Sequence, residues 1–161
     1  MKKELDTLPQ DEESIDGLIE DDMIDTFAAV LSGGDWRKTN QETGAAGLYQ
    51  FTEERWDELM NSNPELALTD SGRIEKDPTE QHRAIEYSNR ENAVTLHNND
   101  VPIDEISLLG SHIFGVDEYM DIMSYSDNTR MNKILGKDSE KPPFNKFKTV
   151  KDLKNYLKNL L

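Results

Sequence analysis

The chain has 161 residues, which is about the size of one ordinary domain and enough to bury a core without disulfides or metals. It has no cysteine, which excludes thiol catalysis, disulfide bonds and cysteine-based metal sites. Its formal net charge of -15 is not offset by a basic stripe interleaved with aromatic residues, so the sequence predicts no nucleic-acid binding.

The two ends of the chain differ in charge. Residues 1–14 are polar and acidic, and we expect them to form a flexible arm in front of a helical domain at residues 15–161. The last 29 residues instead carry eight lysines against three acidic residues. Such regions are usually solvated surfaces, and opposite-charge docking between copies or partners is the alternative.

Neither export nor membrane insertion is predicted. No apolar run approaches the roughly 18 residues that a membrane-spanning helix requires. The basic start, MKK, is not followed by the apolar segment of a secretory signal. The sequence therefore predicts a chain that is cytoplasmic when synthesised and has no membrane span.

Apolar residues at helical spacing predict a first helix over residues 15–31, with Gly33 and Gly34 as stop signals. The segment GDWRKTNQETGAAGLYQ follows, and its Gly, Asn and Thr content predicts an ordered loop. Thr52 is a good N-cap for the next helix, and Phe51 is positioned to pack on Trp56. The inward face of this helix is predicted to contain Trp56, Leu59 and Met60.

Three more helical regions are predicted in the rest of the chain. Asp77 and Pro78 start a helix over residues 78–96. The next helix covers residues 102–114 and is ended by Gly115, with a shorter continuation through residues 120–123. Finally, Thr149 caps a helix with one apolar face. That face is predicted to consist of Val150, Leu153, Leu157 and Leu160. The predicted class is therefore mostly α.

Three motifs, in order along the chain, resemble landmarks of the lytic transglycosylase branch of the lysozyme-like fold. They are LSGGDW at residues 31–36, TGAAGLYQFT at 43–52 and LLGSHIFG at 108–115. In that family a helix ends in Glu-Ser-Gly, a loop leads into Gly-Leu-x-Gln-Phe, and a later helix carries Ala-Tyr-Asn-x-Gly or, in some phage-type members, Ala-His-Phe-x-Gly. The matching positions are Ser32, Gly33, Gly47, Leu48, Gln50, Phe51, Ser111, His112 and Gly115.

The resemblance extends over most of residues 15–161. It includes DPTEQHRAIEYSNRENAVTL at residues 77–96 and PPFNKFKTVKDLKNYL at 142–157. It implies a single lysozyme-like domain with a glycan-binding cleft. The residues implied to line this cleft are Ser32, Gly47, Tyr49, Gln50, Phe51 and His112.

The sequence departs from the family at the decisive position. Where the family has its catalytic glutamate, directly before Ser-Gly, this chain has Leu31. Glycoside cleavage requires a proton for the departing sugar oxygen, and a carboxylic acid with a raised pKa normally supplies it. Leucine cannot donate or accept a proton, and its spacing from Phe27 and Ile24 predicts packing on the apolar face of the helix.

The sequence is consistent with two alternative roles for several of the candidate site residues. Glu42 is a weak candidate for a displaced acid, as are Asp35 and Glu53, and the alternative for each is a solvated carboxylate. By resemblance Gln50 faces the glycan, whereas a loop amide would instead bond to backbone. The rings of Tyr49 and Phe51 either stack on sugars or fill the core.

The histidines show no metal-ligand spacing, and no calcium-loop pattern occurs, so the sequence predicts no metal site and no cofactor. His112 is the histidine with a functional candidacy, because by resemblance its helix faces the cleft. Its alternative role is structural, with the ring held by hydrogen bonds.

The sequence leads to three functional hypotheses, of which the first two follow from the resemblance and the third from the acidic arm and the lysine-rich final helix. The first is a catalytically degenerate domain that serves as a structural or peptidoglycan-binding component of a bacteriophage virion, as a tail or internal protein acting at the cell wall. The second is an active lytic transglycosylase or muramidase that uses a displaced carboxylate such as Glu42. The third is a protein-interaction module of a virion assembly. The partners implied are peptidoglycan glycan strands, other virion proteins and further copies of the chain.

Overall fold

A computed structural model of the protein describes residues 21–75 and 77–161. The mostly α class is confirmed, since the described residues form seven α-helices and no β-strand. The helices are α1 (Asp21–Ser32), α2 (Glu53–Ser62), α3 (Thr79–Asn98), α4 (Glu105–Phe114), α5 (Val116–Met123), α6 (Met131–Leu135) and α7 (Val150–Leu160). The predicted arm at residues 1–14 and the predicted helical residues 15–20 lie outside the described residues.

The described chain divides into two compact units, residues 21–90 and residues 91–161, and the boundary falls within α3. Each unit has buried apolar residues of its own. In the first unit the larger ones are Ile24, Phe27, Tyr49, Phe51, Trp56, Leu59, Leu68 and Ile85. In the second they are Leu96, Ile103, Leu108, Leu109, Phe114, Tyr119, Ile122, Met131, Phe147, Val150, Leu153 and Leu157. The predicted extent of one domain, residues 15–161, stays a prediction.

The end of α1 confirms the predicted stop signals. The helix continues to Ser32, one residue beyond the prediction, and Gly33 and Gly34 then adopt φ angles of 65° and 80°. The Gly33 N–H donates to the carbonyl of Ala29 at 3.0 Å, and the Gly34 N–H donates to the carbonyl of Ala28 at 3.2 Å. These bonds satisfy carbonyls that the helix end would otherwise leave without partners.

Helix α2 is confirmed together with its cap. The Thr52 side chain accepts a hydrogen bond from the Arg55 N–H at 3.2 Å. The rings of Phe51 and Trp56 pack edge to face, with centroids 5.6 Å apart. Trp56 and Leu59 are buried as predicted, whereas Met60 is half-buried.

Helices α3 and α5 are also confirmed, and α4 is confirmed with a corrected start. The Asp77 carboxylate accepts from the Thr79 N–H at 3.0 Å, so α3 begins one residue after the predicted start. The predicted start of α4 at Pro102 is wrong by three residues. Asp104 and Ser107 form a capping box there, and this pair of side-chain bonds fixes the helix start more strongly than a nearby proline does.

Helix α7 follows its predicted cap, since Thr149 and Asp152 form a second capping box. Three of its four predicted apolar positions are buried, and Leu160 is half-buried. Helix α6 and four short 3-10 turns were not predicted. These turns are Pro64–Leu66, Gly72–Ile74, Gly136–Glu140 and Phe144–Lys146. Within the described ranges, no helix combines the length and apolar character needed to cross a bilayer.

Candidate functional site

The Ser-Gly motif at the end of α1 is a helix-terminating structure. Ser32 is buried, and its hydroxyl donates to the carbonyl of Ala28 at 2.9 Å. The same hydroxyl accepts from the Gly34 N–H at 3.2 Å. Because both interactions are local, Ser32 holds the turn that follows Leu31, and its hydroxyl is already engaged by the backbone.

The loop after α1 folds back on itself through backbone hydrogen bonds. Ala46 and Phe51 exchange two bonds, with the Ala46 N–H donating at 3.0 Å and the Phe51 N–H at 3.2 Å. The Asn40 N–H also donates to the carbonyl of Ala45 at 2.7 Å. These contacts form isolated bridges that hold the Gly-Leu-Tyr-Gln segment in a defined turn.

Gly47 lies in the most crowded part of this turn. Its φ angle is 87°, and a Cβ atom placed on it would approach the Arg73 carbonyl oxygen to 2.2 Å and Gln81 Oε1 to 2.7 Å. Gln81 is 1% exposed, and its Oε1 accepts from the Leu48 N–H at 2.7 Å. Its Nε2 donates to the carbonyl of Glu75 at 3.2 Å. Gln81 therefore fixes the loop to α3.

Gln50 adopts a left-handed backbone conformation, with φ of 54°. Its side-chain Nε2 donates to the carbonyls of Lys38 at 3.0 Å and Gly47 at 2.8 Å. This is the backbone-bonding alternative described above for a loop amide. With the amide donors directed at the backbone, the Oε1 carbonyl is the part of the side chain that can accept a bond from a ligand hydroxyl.

Lys38 brings the end of α1 and the Gln50 turn together. Its ammonium group donates to the carbonyl of Leu31 at 3.1 Å, while its own carbonyl accepts the bond from Gln50. A cation at the C-terminal end of a helix interacts favourably with the exposed carbonyls and the helix dipole. At the position before Ser-Gly, Leu31 is half-buried, and the exposed Lys38 contacts its backbone carbonyl.

The candidate acids do not show the environment of a catalytic proton donor. Glu42 is exposed on a turn in which Asn40 Oδ1 accepts from the Glu42 N–H at 2.9 Å and from the Thr43 N–H at 3.2 Å. Asp35 receives hydrogen bonds from the Arg37 backbone and guanidinium, and these lower the pKa of its carboxyl. A general acid requires the opposite shift. Glu53 is exposed in the first turn of α2.

Tyr49 and Phe51 lie in the core of the first unit, with exposed fractions of 3% and 2%. The Tyr49 hydroxyl lies 3.4 Å from His82 Nδ1, and His82 Nε2 lies 2.7 Å from a Glu86 carboxylate oxygen. Burial, with smaller contributions from the charges of Asp25 and Glu86, raises the pKa of Tyr49 to about 12. The Tyr49 ring therefore packs the loop against α3, and the Phe51 ring packs it against Trp56 of α2.

The raised pKa of Tyr49 gives a measurable expectation. Burial also raises the pKa of Tyr119 to about 12, so both phenols should ionise well above the ordinary value of 10. A raised pKa in the folded state means that the stability from the neutral phenol is complete below pH 10 and is lost as the pH rises toward 12. In an absorbance titration, Tyr49→Phe should remove one tyrosine from the late-ionising component. An unchanged late component would contradict the burial of Tyr49.

His112 does not lie in the same compact unit as the other proposed cleft residues. It is half-buried on α4, in the unit formed by residues 91–161, next to the buried Ser111. Leu31, Ser32, Gly47, Tyr49, Gln50 and Phe51 all belong to the unit formed by residues 21–90. Within the unit formed by residues 21–90, Lys38 connects the end of α1 with the Gln50 turn.

Two residues of this assembly, Lys38 and Gln81, were not identified from the sequence. Gln81 stands within the quoted segment at residues 77–96, but a glutamine in the first turn of a helix has no specific signal for a distant loop. Among the described residues, no group of three or more His, Asp or Glu side chains is arranged to hold a metal ion. Comparison of the chain with models of known protein families and with curated protein sequences gives no match.

Proposed function

We propose that this chain is a catalytically degenerate lytic transglycosylase-like domain and that it serves as a noncatalytic component of a phage virion that contacts peptidoglycan. The observation that carries the proposal is the pairing of Leu31 with the Gln50 turn through Lys38. In the family that the sequence resembles, the catalytic carboxylic acid precedes Ser-Gly and lies near this turn. Here the corresponding side chain is a hydrocarbon.

The chemistry of glycoside cleavage supports a noncatalytic role. Proton transfer by a positioned side chain contributes roughly 10² to 10⁴ in rate, and its loss removes the main catalytic group of a single-acid transglycosylase. Asp35 has a lowered pKa and is held by Arg37, while Glu42 is exposed on a separate Asx turn. The contacts that join Leu31 to Gln50 pass through Lys38 and do not involve either carboxylate.

The groups that remain for glycan contact are polar rather than aromatic. The Gln50 carbonyl and the backbone of its turn are held in fixed positions, which favours binding by a preformed surface. The rings of Tyr49 and Phe51 are buried, so the proposal assigns them to packing. The assignment to a virion rests on analogy with phage-type members of the family.

The proposal is tested with purified peptidoglycan. We expect no clearing of a cell-wall suspension even at high protein concentration, together with co-sedimentation of the chain with the insoluble wall. Gln50→Asn should weaken co-sedimentation, because asparagine tolerates a positive φ but places its carbonyl one methylene closer to the backbone. Glu42→Gln serves as the matched control and should bind as the native chain does. Clearing that Glu42→Gln abolishes would instead show an active enzyme, and failure to co-sediment would refute the peptidoglycan contact.

A further inference from the structure

Helix α7 carries three lysines in a narrow stripe. Lys151, Lys154 and Lys158 are spaced at i, i+3 and i+7, so they lie on one side of the helix. The apolar side of α7 is occupied by Val150, Leu153 and Leu157, which are buried. Lys151 and Lys158 are exposed, and 34% of the Lys154 side chain is exposed. We call these three residues the lysine stripe.

A nearby carboxylate only partly balances the lysine stripe. The Lys154 ammonium lies 2.7 Å from the Asp127 carboxylate. The pKa of Asp127 is lowered mainly by the hydrogen bond and charge of Lys154, and to a smaller extent by the charges of Lys151 and Lys158. All three lysines therefore lie within electrostatic range of one acid. The stripe is a local positive surface on a chain whose formal net charge is -15.

Helix α2 carries a stripe of opposite charge. Glu54, Asp57 and Glu58 are spaced at i, i+3 and i+4, on the side of the helix opposite the buried Trp56 and Leu59. Glu54 and Glu58 are exposed and Asp57 is half-buried. The Arg55 guanidinium lies 2.6 Å from a Glu58 carboxylate oxygen and places one positive charge beside this stripe. We call Glu54, Asp57 and Glu58 the acidic stripe.

We propose that the lysine stripe of one copy of the chain docks on the acidic stripe of a second copy. A rise of 1.5 Å per residue makes the lysine stripe about 10 Å long and the acidic stripe about 6 Å long, so the shorter fits along the longer. Because the two surfaces are different, a docked pair retains one unused lysine stripe on one copy and one unused acidic stripe on the other. The contact is heterologous and extends into head-to-tail assemblies or closes into rings.

A second copy suits the lysine stripe better than an extended polyanion does. At physiological ionic strength, electrostatic interactions between exposed charges are largely screened beyond about 8 Å. The acidic stripe of a second copy therefore interacts mainly with the lysines that lie directly opposite it. A nucleic acid or an anionic wall polymer would continue past the stripe across a chain with an excess of 15 negative charges. This inference does not depend on the proposed function, since it requires neither a glycan nor a cleft.

The association is expected to be weak and sensitive to salt, because exposed ion pairs contribute little individually. Sedimentation velocity over a concentration series at low and high salt measures it. The native chain should exceed its monomer mass of 18.4 kDa at high protein concentration and low salt, and should return to that mass in high salt.

Charge reversal in either stripe should prevent the association. Two double variants should each remain monomeric: Lys151→Glu/Lys158→Glu and Glu54→Lys/Asp57→Lys. An equimolar mixture of the two variants should associate again, because its stripes are complementary once more.

Matched controls separate the stripes from net charge. Lys133→Glu/Lys137→Glu and Glu65→Lys/Asp70→Lys change exposed residues by the same number of charges outside the stripes. Both controls should associate as the native chain does, and circular dichroism should show that all variants keep native helicity. A native chain that stays at 18.4 kDa at high concentration and low salt would overturn the proposal. Controls that dissociate as fully as the stripe variants would also overturn it.

Discussion

Replacing Gly47 by alanine is expected to destabilise the first unit more than the same replacement at Gly33, Gly34 or Gly44. The φ angle of 87° is one that residues with a Cβ rarely adopt, and the added carbon would lie 2.2 Å from the Arg73 carbonyl oxygen. The left-handed conformation costs roughly 1–2 kcal/mol and overpacking roughly 1–3 kcal/mol, so the free energy of unfolding should fall by about 3 kcal/mol. Urea denaturation followed by circular dichroism measures this change.

Gly44 provides the matched control for this prediction. It has a φ angle of 76°, but a Cβ placed there would meet no atom within 4 Å. Gly44→Ala should therefore incur only the conformational cost of about 1–2 kcal/mol. Equal losses for the two variants would mean that the close approach of Arg73 and Gln81 does not constrain Gly47. In that case the turn would not be fixed by α3 in the way the structure indicates.

The contrast between Gly47 and Gly44 also shows what the sequence can and cannot predict. Both glycines are expected in a loop, because glycine supplies backbone freedom. The special crowding at Gly47 depends on Arg73 and Gln81, which are more than 25 residues away in the chain. A pattern that is local in sequence carries no information about which glycine meets a distant carbonyl.

The helices were predictable where local chemistry determines their ends. Thr52 and Thr149 cap α2 and α7 through bonds to residues three positions away, and such spacing is visible in the sequence. Helix α6 was missed because it has only five residues, and so short an apolar pattern is not distinguishable from a loop. Its position depends on a tertiary contact, since the Met131 N–H donates to the carbonyl of Lys148 at 2.9 Å.

The candidate site was predictable in its motifs but not in its connecting residue. The resemblance identified Leu31 and Gln50 and implied that they lie near one another. Lys38 joins them, and neither its position in a polar loop nor its charge distinguishes it from other solvated lysines. The structure also gives two of the motif residues a structural role. The side chains of Ser32 and Gln50 donate hydrogen bonds to backbone carbonyls and hold the turns in which they lie.

Restoring the carboxylic acid at the position of Leu31 is expected to produce lytic activity. Leu31→Glu would place a proton donor directly before Ser32 and Gly33, and general acid catalysis is worth roughly 10² to 10⁴ in rate. Lys38 should limit the gain in activity. Its ammonium lies 3.1 Å from the backbone carbonyl oxygen of Leu31, and a cation this close to the new side chain would hold the pKa of its carboxyl low. The double variant Leu31→Glu/Lys38→Met should therefore clear peptidoglycan faster near neutral pH than the single variant does.

The controls for this experiment follow from the same contacts. Leu31→Gln has nearly the size of Leu31→Glu but no titratable proton, so it should remain inactive. Lys38→Met alone should also be inactive, which would show that the lysine acts only through the new carboxyl. The pH optimum should shift upward from the single to the double variant, because removing a nearby cation raises the pKa of a carboxylic acid. If both glutamate variants fold with native helicity and release no muropeptides at any pH, Leu31 does not occupy the position of a catalytic acid, and the degenerate-enzyme proposal fails.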